Sequence, residues 1–107
     1  MAKIDWTKRF QQELDSYIGH ASMEFGKSTA LKWAEEIATF EIRVKDWPTS
    51  YSPENLLFGK KFLYRCCQVM NRRFKIIYYY DESEDTVHLV DIWDTRMNPK
   101  ALIRRIK

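Results

Sequence analysis

Few residues of the kinds that build disulfide frameworks, metal centres or phosphate loops occur in this 107-residue sequence, which has two cysteines, two histidines and three glycines. The cysteines, Cys66 and Cys67, are adjacent, and a bridge between neighbours needs a strained ring, so we expect free thiols in a reducing compartment. His20 and His88 lack metal-ligand spacing and lie beside no nucleophile motif. The glycines are isolated, which argues against a glycine-rich phosphate loop. We therefore expect neither a metal nor a cofactor.

Long apolar runs are also missing, because no stretch approaches the roughly 18 residues of a membrane span. The opening MAKIDWTKRF is too charged for a signal peptide, so we expect a cytoplasmic protein that makes no contact with the membrane. What is present is 45% hydrophobic residues, 15% aromatic residues and a net charge of +3. This composition predicts a packed core, a single domain over residues 1–107 and a mild bias toward anionic partners.

The N-terminal part predicts one strand and two helices. Alternating polar and apolar residues over Lys3–Thr7 indicate a short strand. Helical spacing of apolar residues then predicts a helix that Thr7 caps and Gly26 ends. A second helix, capped by Ser28, should end before Trp47-Pro48. The gap between the helices is short, which predicts an antiparallel hairpin.

The C-terminal part changes to a period of two after a predicted long loop over Pro48–Gly59. Three strands are predicted, over Lys60–Met70, Arg73–Tyr80 and Thr86–Trp93. Short turns at Asn71-Arg72 and Asp81–Asp85 make them an antiparallel meander. Asn98 should then cap a short C-terminal helix that has Pro99 at its first position. The predicted class is α+β, with the helical hairpin on one face of a single sheet and the first strand returning as an edge.

Cations on the predicted sheet are the best candidates for a function. The simpler interpretation of Arg65 and Lys75 is that they mark the solvent-facing side of the sheet. The alternative is that they line a shallow concave face that binds phosphate, together with Lys60, Lys61 and Arg96. Nearby tyrosines would add stacking platforms for bases, namely Tyr64, Tyr78, Tyr79 and Tyr80. Tyr78 falls in register with apolar neighbours, however, and is better explained as a core residue.

Three stretches resemble the RelE/ParE superfamily of bacterial toxins from type II toxin-antitoxin systems. They are IDWTKRFQQELDSYI, KSTALKWAEEI and YRCCQVMNRRFKIIYYYDESEDTVHLVDIWDTRMNP. Arg65 early in one strand, the run from Phe74 to Tyr78 and the strand exit IWDTRMNP are especially characteristic. The resemblance covers nearly the whole chain and agrees with the predicted order of elements. It implies a small toxin that a cognate antitoxin holds inactive, as a homodimer or in an antitoxin-bridged hetero-oligomer.

The resemblance leaves two mechanisms open, since RelE-like members cut messenger RNA on the ribosome and ParE-like members inhibit DNA gyrase. If this chain cleaved RNA, the resemblance implies that Arg65, Lys75 and Arg96 would be the catalytic cations that stabilise the charge on the phosphorane. Contacts to the target or nucleic acid would be made by Lys60, Lys61, Arg73 and Arg96.

The acid–base partner that RNA cleavage needs is missing from the expected place. RelE-like enzymes commonly carry a tyrosine or histidine a few residues past the last arginine, and residues 97–107 contain neither. A proton-transfer group would have to come from the ribosome or from Glu54. This absence and the ParE-like exit RMNP favour gyrase inhibition slightly over RNA cleavage. A third hypothesis is a degenerate member that only binds its antitoxin.

Overall fold

The computed structural model describes residues 1–107 as a four-stranded sheet with two long helices on one face and a short helix on the other. In chain order, the elements are β1 (Lys3–Trp6), α1 (Lys8–Phe25), α2 (Lys27–Asp46), β2 (Arg65–Val69), β3 (Phe74–Asp81), β4 (Thr86–Asp94) and α3 (Pro99–Arg105). The strand order is β1-β4-β3-β2, with β1 parallel to β4 and the other pairs antiparallel. The predicted α+β class, the helical hairpin, the meander and the edge position of β1 are confirmed.

The helix ends follow the local chemistry of the sequence. The Thr7 hydroxyl accepts a hydrogen bond from the Phe10 N–H at 3.3 Å, so the predicted cap of α1 is confirmed. Gly26, at φ 94°, is the only residue between α1 and α2. The predicted cap at Ser28 is wrong, because α2 already begins at Lys27 behind this glycine and has no side-chain cap.

The C-terminal helix begins as the sequence predicts. The side chain of Asn98 accepts a hydrogen bond from the Lys100 N–H at 3.0 Å, and Pro99 is the first helical residue. None of the helices is both long and apolar enough to cross a membrane.

The prediction of a strand over Lys60–Met70 is wrong in its first half, since β2 covers only Arg65–Val69. Before β2 the chain is irregular, and the preceding loop folds back along it. The Glu54 N–H donates to the Tyr64 carbonyl at 2.8 Å, and a 3-10 turn follows at Asn55–Leu57. Backbone pairing inside the loop therefore replaces the extra strand length that the alternating sequence predicted.

A β-bulge interrupts the alternation of β4, whose residues contribute to two cores on opposite faces of the sheet. Ile77 pairs with Asp91 and Tyr78 with Leu89, which leaves Val90 as an extra residue. The larger core lies between the sheet and α1 and α2, and it includes Leu89 and Tyr78. The smaller core lies under α3 and consists of Leu57, Tyr64, Ile77, Trp93, Leu102 and Ile106. The Thr7 hydroxyl donates to the Leu89 carbonyl at 2.8 Å, so the start of α1 is fixed to the bulge.

Candidate functional site

The strand cations do not share one face of the sheet. Arg65 lies opposite Tyr78, whose side chain is in the core under α1 and α2. Lys75 lies opposite Gln68 and alternates with Ile76, so it points to the α3 side. The expectation that Arg65 and Lys75 line one concave face is therefore wrong. Tyr78 is fully buried, which confirms its interpretation as core.

Each of the three cations implied as catalytic is already bonded within the protein. Arg65 Nη1 donates to the Tyr51 carbonyl at 2.7 Å. Lys75 Nζ lies 2.7 Å from Glu54 Oε2. Arg96 makes a bidentate contact with Asp94, with Nε–Oδ1 and Nη2–Oδ2 distances of 3.2 and 3.0 Å. Lys75 and Arg96 are thus each paired with a carboxylate, Lys75 in a largely buried contact and Arg96 in an exposed one.

Glu54, the acid–base candidate within the chain, contacts Lys75 and is only 5% exposed. Burial by itself would raise the pKa of Glu54, but hydrogen bonds from Lys75 and from the Leu56 N–H hold that pKa below its usual value. A carboxylate in this state is a weak proton acceptor at neutral pH. The pair borders an open cavity of about 630 Å³ beside the edge strand β2.

The two cysteines are free and half-buried at the same cavity. Burial, reinforced by the nearby Glu54 carboxylate, raises the pKa of Cys66 to about 11, and burial also raises the pKa of Cys67. Both groups are therefore neutral thiols at pH 7 and poor nucleophiles.

Lys60 and Lys61 lie in the irregular segment before β2, not on a strand. Lys61 Nζ is 5.3 Å from the ring centroid of Phe62, and its backbone N–H donates to the Lys107 carbonyl at 3.2 Å. Phe58 in the same segment is 91% exposed. The segment thus presents lysines beside exposed apolar side chains, a combination that suits contact with another macromolecule.

Arg73 and Arg96, both named as candidate contacts to a target, line one small cavity of about 290 Å³. The Thr95 N–H donates to the Arg73 carbonyl at 2.9 Å, which holds the exit of β4 against the start of β3. His20 of α1 lines the same cavity, more than 50 residues earlier in the chain. No pattern in the sequence indicates that His20 and Arg96 are neighbours, because only the packing of α1 on the sheet brings them together.

A second feature that the sequence interpretation missed is a buried ion pair under α3. Arg105 Nη2 lies 2.9 Å from Asp91 Oδ1 and 3.5 Å from Glu13 Oε1, and Asp91 is fully buried. Burial raises the pKa of Asp91 to about 6, although Arg105 counteracts the shift. The sequence does contain one indication of this pair, since Asp91 is a lone carboxylate inside the apolar run VDIW. The pair fixes α3 to β4.

The sequence of this chain matches a family model over residues 4–99, that of the ParE toxin of type II toxin-antitoxin systems, parDE. The chain belongs to the ParE toxin family. It is accordingly a toxin component of a type II toxin-antitoxin system. The predicted resemblance to the RelE/ParE superfamily is confirmed.

Solved structures share the fold of this ParE family member at low sequence identity. The chromosomal ParDE system of P. aeruginosa aligns with a TM-score of 0.69 at 15% identity, covering 88% of this chain and 96% of that chain. The intact RelBE toxin-antitoxin complex of E. coli aligns at 0.62 and 12% identity, covering 89% and 98%. The isolated RelE toxin of E. coli also aligns at 0.62 and 12%, covering 99% and 100%. None of the curated protein sequences matches the chain.

Proposed function

We propose that this ParE family toxin arrests growth by binding DNA gyrase and that it does not cleave RNA. The observation that carries this proposal is the state of its cations. Lys75 is paired with Glu54, Arg96 is paired with Asp94, and Arg65 lies on the opposite face of the sheet from Lys75.

Cleavage of RNA through the ribose 2′-hydroxyl needs a base, an acid and cations preorganised around one phosphate. The residues implied for this chemistry do not converge, and Glu54 has a lowered pKa and is bound to Lys75. The tail over residues 97–107 contains neither tyrosine nor histidine. A stable complex with a protein target makes none of these demands, so inhibition by binding fits the chain better.

We further propose that a cognate antitoxin neutralises the toxin, as the RelBE complex of E. coli pairs a toxin with an antitoxin. The outer groove between α1 and α2 supports this proposal. It forms a cavity of about 610 Å³ whose apolar lining includes Leu14, Ile18, Ala34 and Ile37. Such a groove is suited to the apolar face of an amphipathic helix.

The decisive experiment adds purified toxin to gyrase and follows both supercoiling and DNA cleavage. We expect supercoiling to stop and cleaved DNA to accumulate. After induction in cells, thymidine incorporation should fall before methionine incorporation. A gyrase that stays fully active under a large excess of toxin would contradict the proposal.

The RelE-like alternative predicts a different result in the same cells. Primer extension on translated messages would then reveal new cuts after induction, and Lys75→Met would abolish them. The third hypothesis, a degenerate antitoxin-binding module, predicts normal growth without antitoxin, so growth arrest excludes it.

A further inference from the structure

The small cavity beside Arg96 collects side chains from several elements of the fold. Its volume is about 290 Å³, and its walls include His20 from α1, Trp33 from α2, Arg73 from the turn before β3, and Arg96 from the exit of β4. None of these residues is a neighbour of the next in the sequence, so the cluster is a product of the tertiary fold.

Arg73 is the most informative member of the cluster. Its guanidinium carbon lies 5.9 Å from the ring centroid of Phe25 and 5.7 Å from that of Phe74, so aromatic rings fix its position. It takes part in none of the ion pairs of the molecule, and its Nε is buried without a partner. A positioned guanidinium with unused donors favours binding of an anion.

The charges around the cavity leave an excess of positive charge. Asp94 is the carboxylate in the lining, and its hydrogen bonds with Arg96 hold its pKa below the usual value, so it is ionised and engaged. His20 Nε2 is 3.8 Å from Glu24 in an exposed contact that water screens. Arg73 forms no ion pair of its own, although its charge also helps to lower the pKa of Asp94. The Arg96 side chain is 65% exposed, and its Nη1 makes no hydrogen bond within the protein.

Aromatic faces lie directly beside these donors. The rings of Phe25 and Trp33 are 6.4 Å apart between centroids, and Phe25 is 49% exposed at the tip of the helical hairpin. A carboxylate of a protein partner would use the guanidinium groups but would gain nothing from the rings. A nucleotide uses both, because its phosphate accepts hydrogen bonds and its base stacks on an aromatic face.

We propose that this cavity binds a phosphate group of a single-stranded nucleic acid, with Arg73 and Arg96 on the phosphate and Phe25 and Trp33 against the adjacent base. The phosphate chemistry is common to DNA and RNA, so the test contains both. This site does not depend on the proposed inhibition of gyrase, since the free toxin should bind the nucleic acid alone.

The test measures fluorescence anisotropy of labelled dT12 and rU12 with increasing concentrations of free toxin, at several salt concentrations. We expect saturable binding that weakens as salt rises, and the preferred oligonucleotide identifies DNA or RNA as the source of the phosphate. Arg73→Met should weaken binding by about tenfold or more. The matched control is Arg104→Met, which removes an exposed cation from α3 and should change affinity by less than about twofold.

Two further variants keep the test independent of folding defects. Arg73→Lys retains the charge and loses the fork of donors, so its affinity should lie between those of the wild type and Arg73→Met. Phe25→Ala should weaken binding of dT12 more than binding of an abasic dodecamer, since it removes a stacking face and also one of the two rings that position Arg73. Thermal unfolding followed by circular dichroism verifies that each variant is folded.

Several outcomes would overturn the proposal. Equal losses in Arg73→Met and Arg104→Met would mean that binding follows the diffuse net charge. Absence of binding to either oligonucleotide would remove the site as a nucleic-acid site. Binding of a polyglutamate peptide in place of both oligonucleotides, lost in Arg73→Met, would assign the cavity to an acidic protein segment. Because gyrase is absent from these assays, their failure leaves the gyrase proposal standing.

Discussion

The Lys75–Glu54 contact shows that the environment of a charged residue cannot be predicted until its partner in the fold is known. The sequence identified Lys75 as a cation on a strand, and it does lie on β3. Its charge state in the fold depends on Glu54, which lies in an irregular loop 21 residues earlier. Periodicity predicts which residues share a strand face, but it carries no information on which loop side chain returns to that face. For this reason the neutralisation of Lys75 was not predictable.

Lys75→Met should destabilise the protein by about 1–3 kcal/mol, because it leaves the buried Glu54 carboxylate without its cation. Urea unfolding at pH 7 measures this free energy. The control Lys100→Met removes an exposed lysine from α3 and should cost less than about 0.5 kcal/mol. Combining Lys75→Met with Glu54→Gln should recover part of the loss. Equal stability of Lys75→Met and the wild type would mean that the contact contributes nothing.

Asp91 gives a pH dependence with a defined sign. Its folded pKa is about 6, above the unfolded value of about 3.9, so the folded protein binds the extra proton between these values. Stability from this group is therefore complete below about pH 4 and is lost as pH rises toward 6. The free energy of unfolding of the wild type should fall over that window relative to Asp91→Asn. A constant difference between the two proteins from pH 4 to 7 would contradict the assignment.

At the scale of elements, the helices and the edge strand follow from local signals, whereas the bulge does not. Helical spacing, the Thr7 cap and Gly26 are all readable in the sequence. In the segment TVHLVDIWD of β4, apolar residues fall on both sides of Val90. This pattern is equally consistent with a continuous buried strand that has no bulge. The extra residue becomes visible only when the register against β3 is known.

Thr7 joins two elements, so its loss should cost more than that of an ordinary helix threonine. Thr7→Ala removes the cap of α1 and the hydrogen bond to the Leu89 carbonyl, and we expect a loss of about 1–2 kcal/mol in urea unfolding. The comparison is Thr39→Ala, whose hydroxyl bonds only to the Glu35 carbonyl one turn earlier in α2. That variant should change stability by less than about 0.5 kcal/mol.

At the scale of the whole molecule, the family and the fold were predictable because they depend on patterns spread over nearly the entire chain. The candidate site was only partly predictable. Arg73 and Arg96 were identified as contact residues, but their common cavity with His20 and Trp33 requires the helical hairpin to be packed on the sheet. Long-range packing determines which charges meet, and a single sequence does not encode it in any local period.

The proposed antitoxin gives a prediction for the complete toxin–antitoxin pair. Ala34→Arg places a long cation in the apolar groove between α1 and α2, which should prevent antitoxin binding. Cells that carry this variant should stop growing even when the antitoxin is co-expressed. Glu35→Arg introduces the same residue one position along α2, outside the groove lining, and should remain neutralised. Rescue of both variants by the antitoxin would exclude the groove as its docking site.

The bulge at Val90 also determines how β4 can change in length. Deleting Val90 would restore one-to-one pairing with β3, so Leu89 would stay on the helix side and Asp91 on the α3 side. The deletion would still reshape the backbone at the bulge, which is where Thr7 is bonded. The Thr7 hydroxyl lies 2.8 Å from the Leu89 carbonyl and 3.4 Å from the Val90 carbonyl. In an alignment of relatives, a strand one residue shorter should therefore occur together with loss of the hydroxyl at position 7.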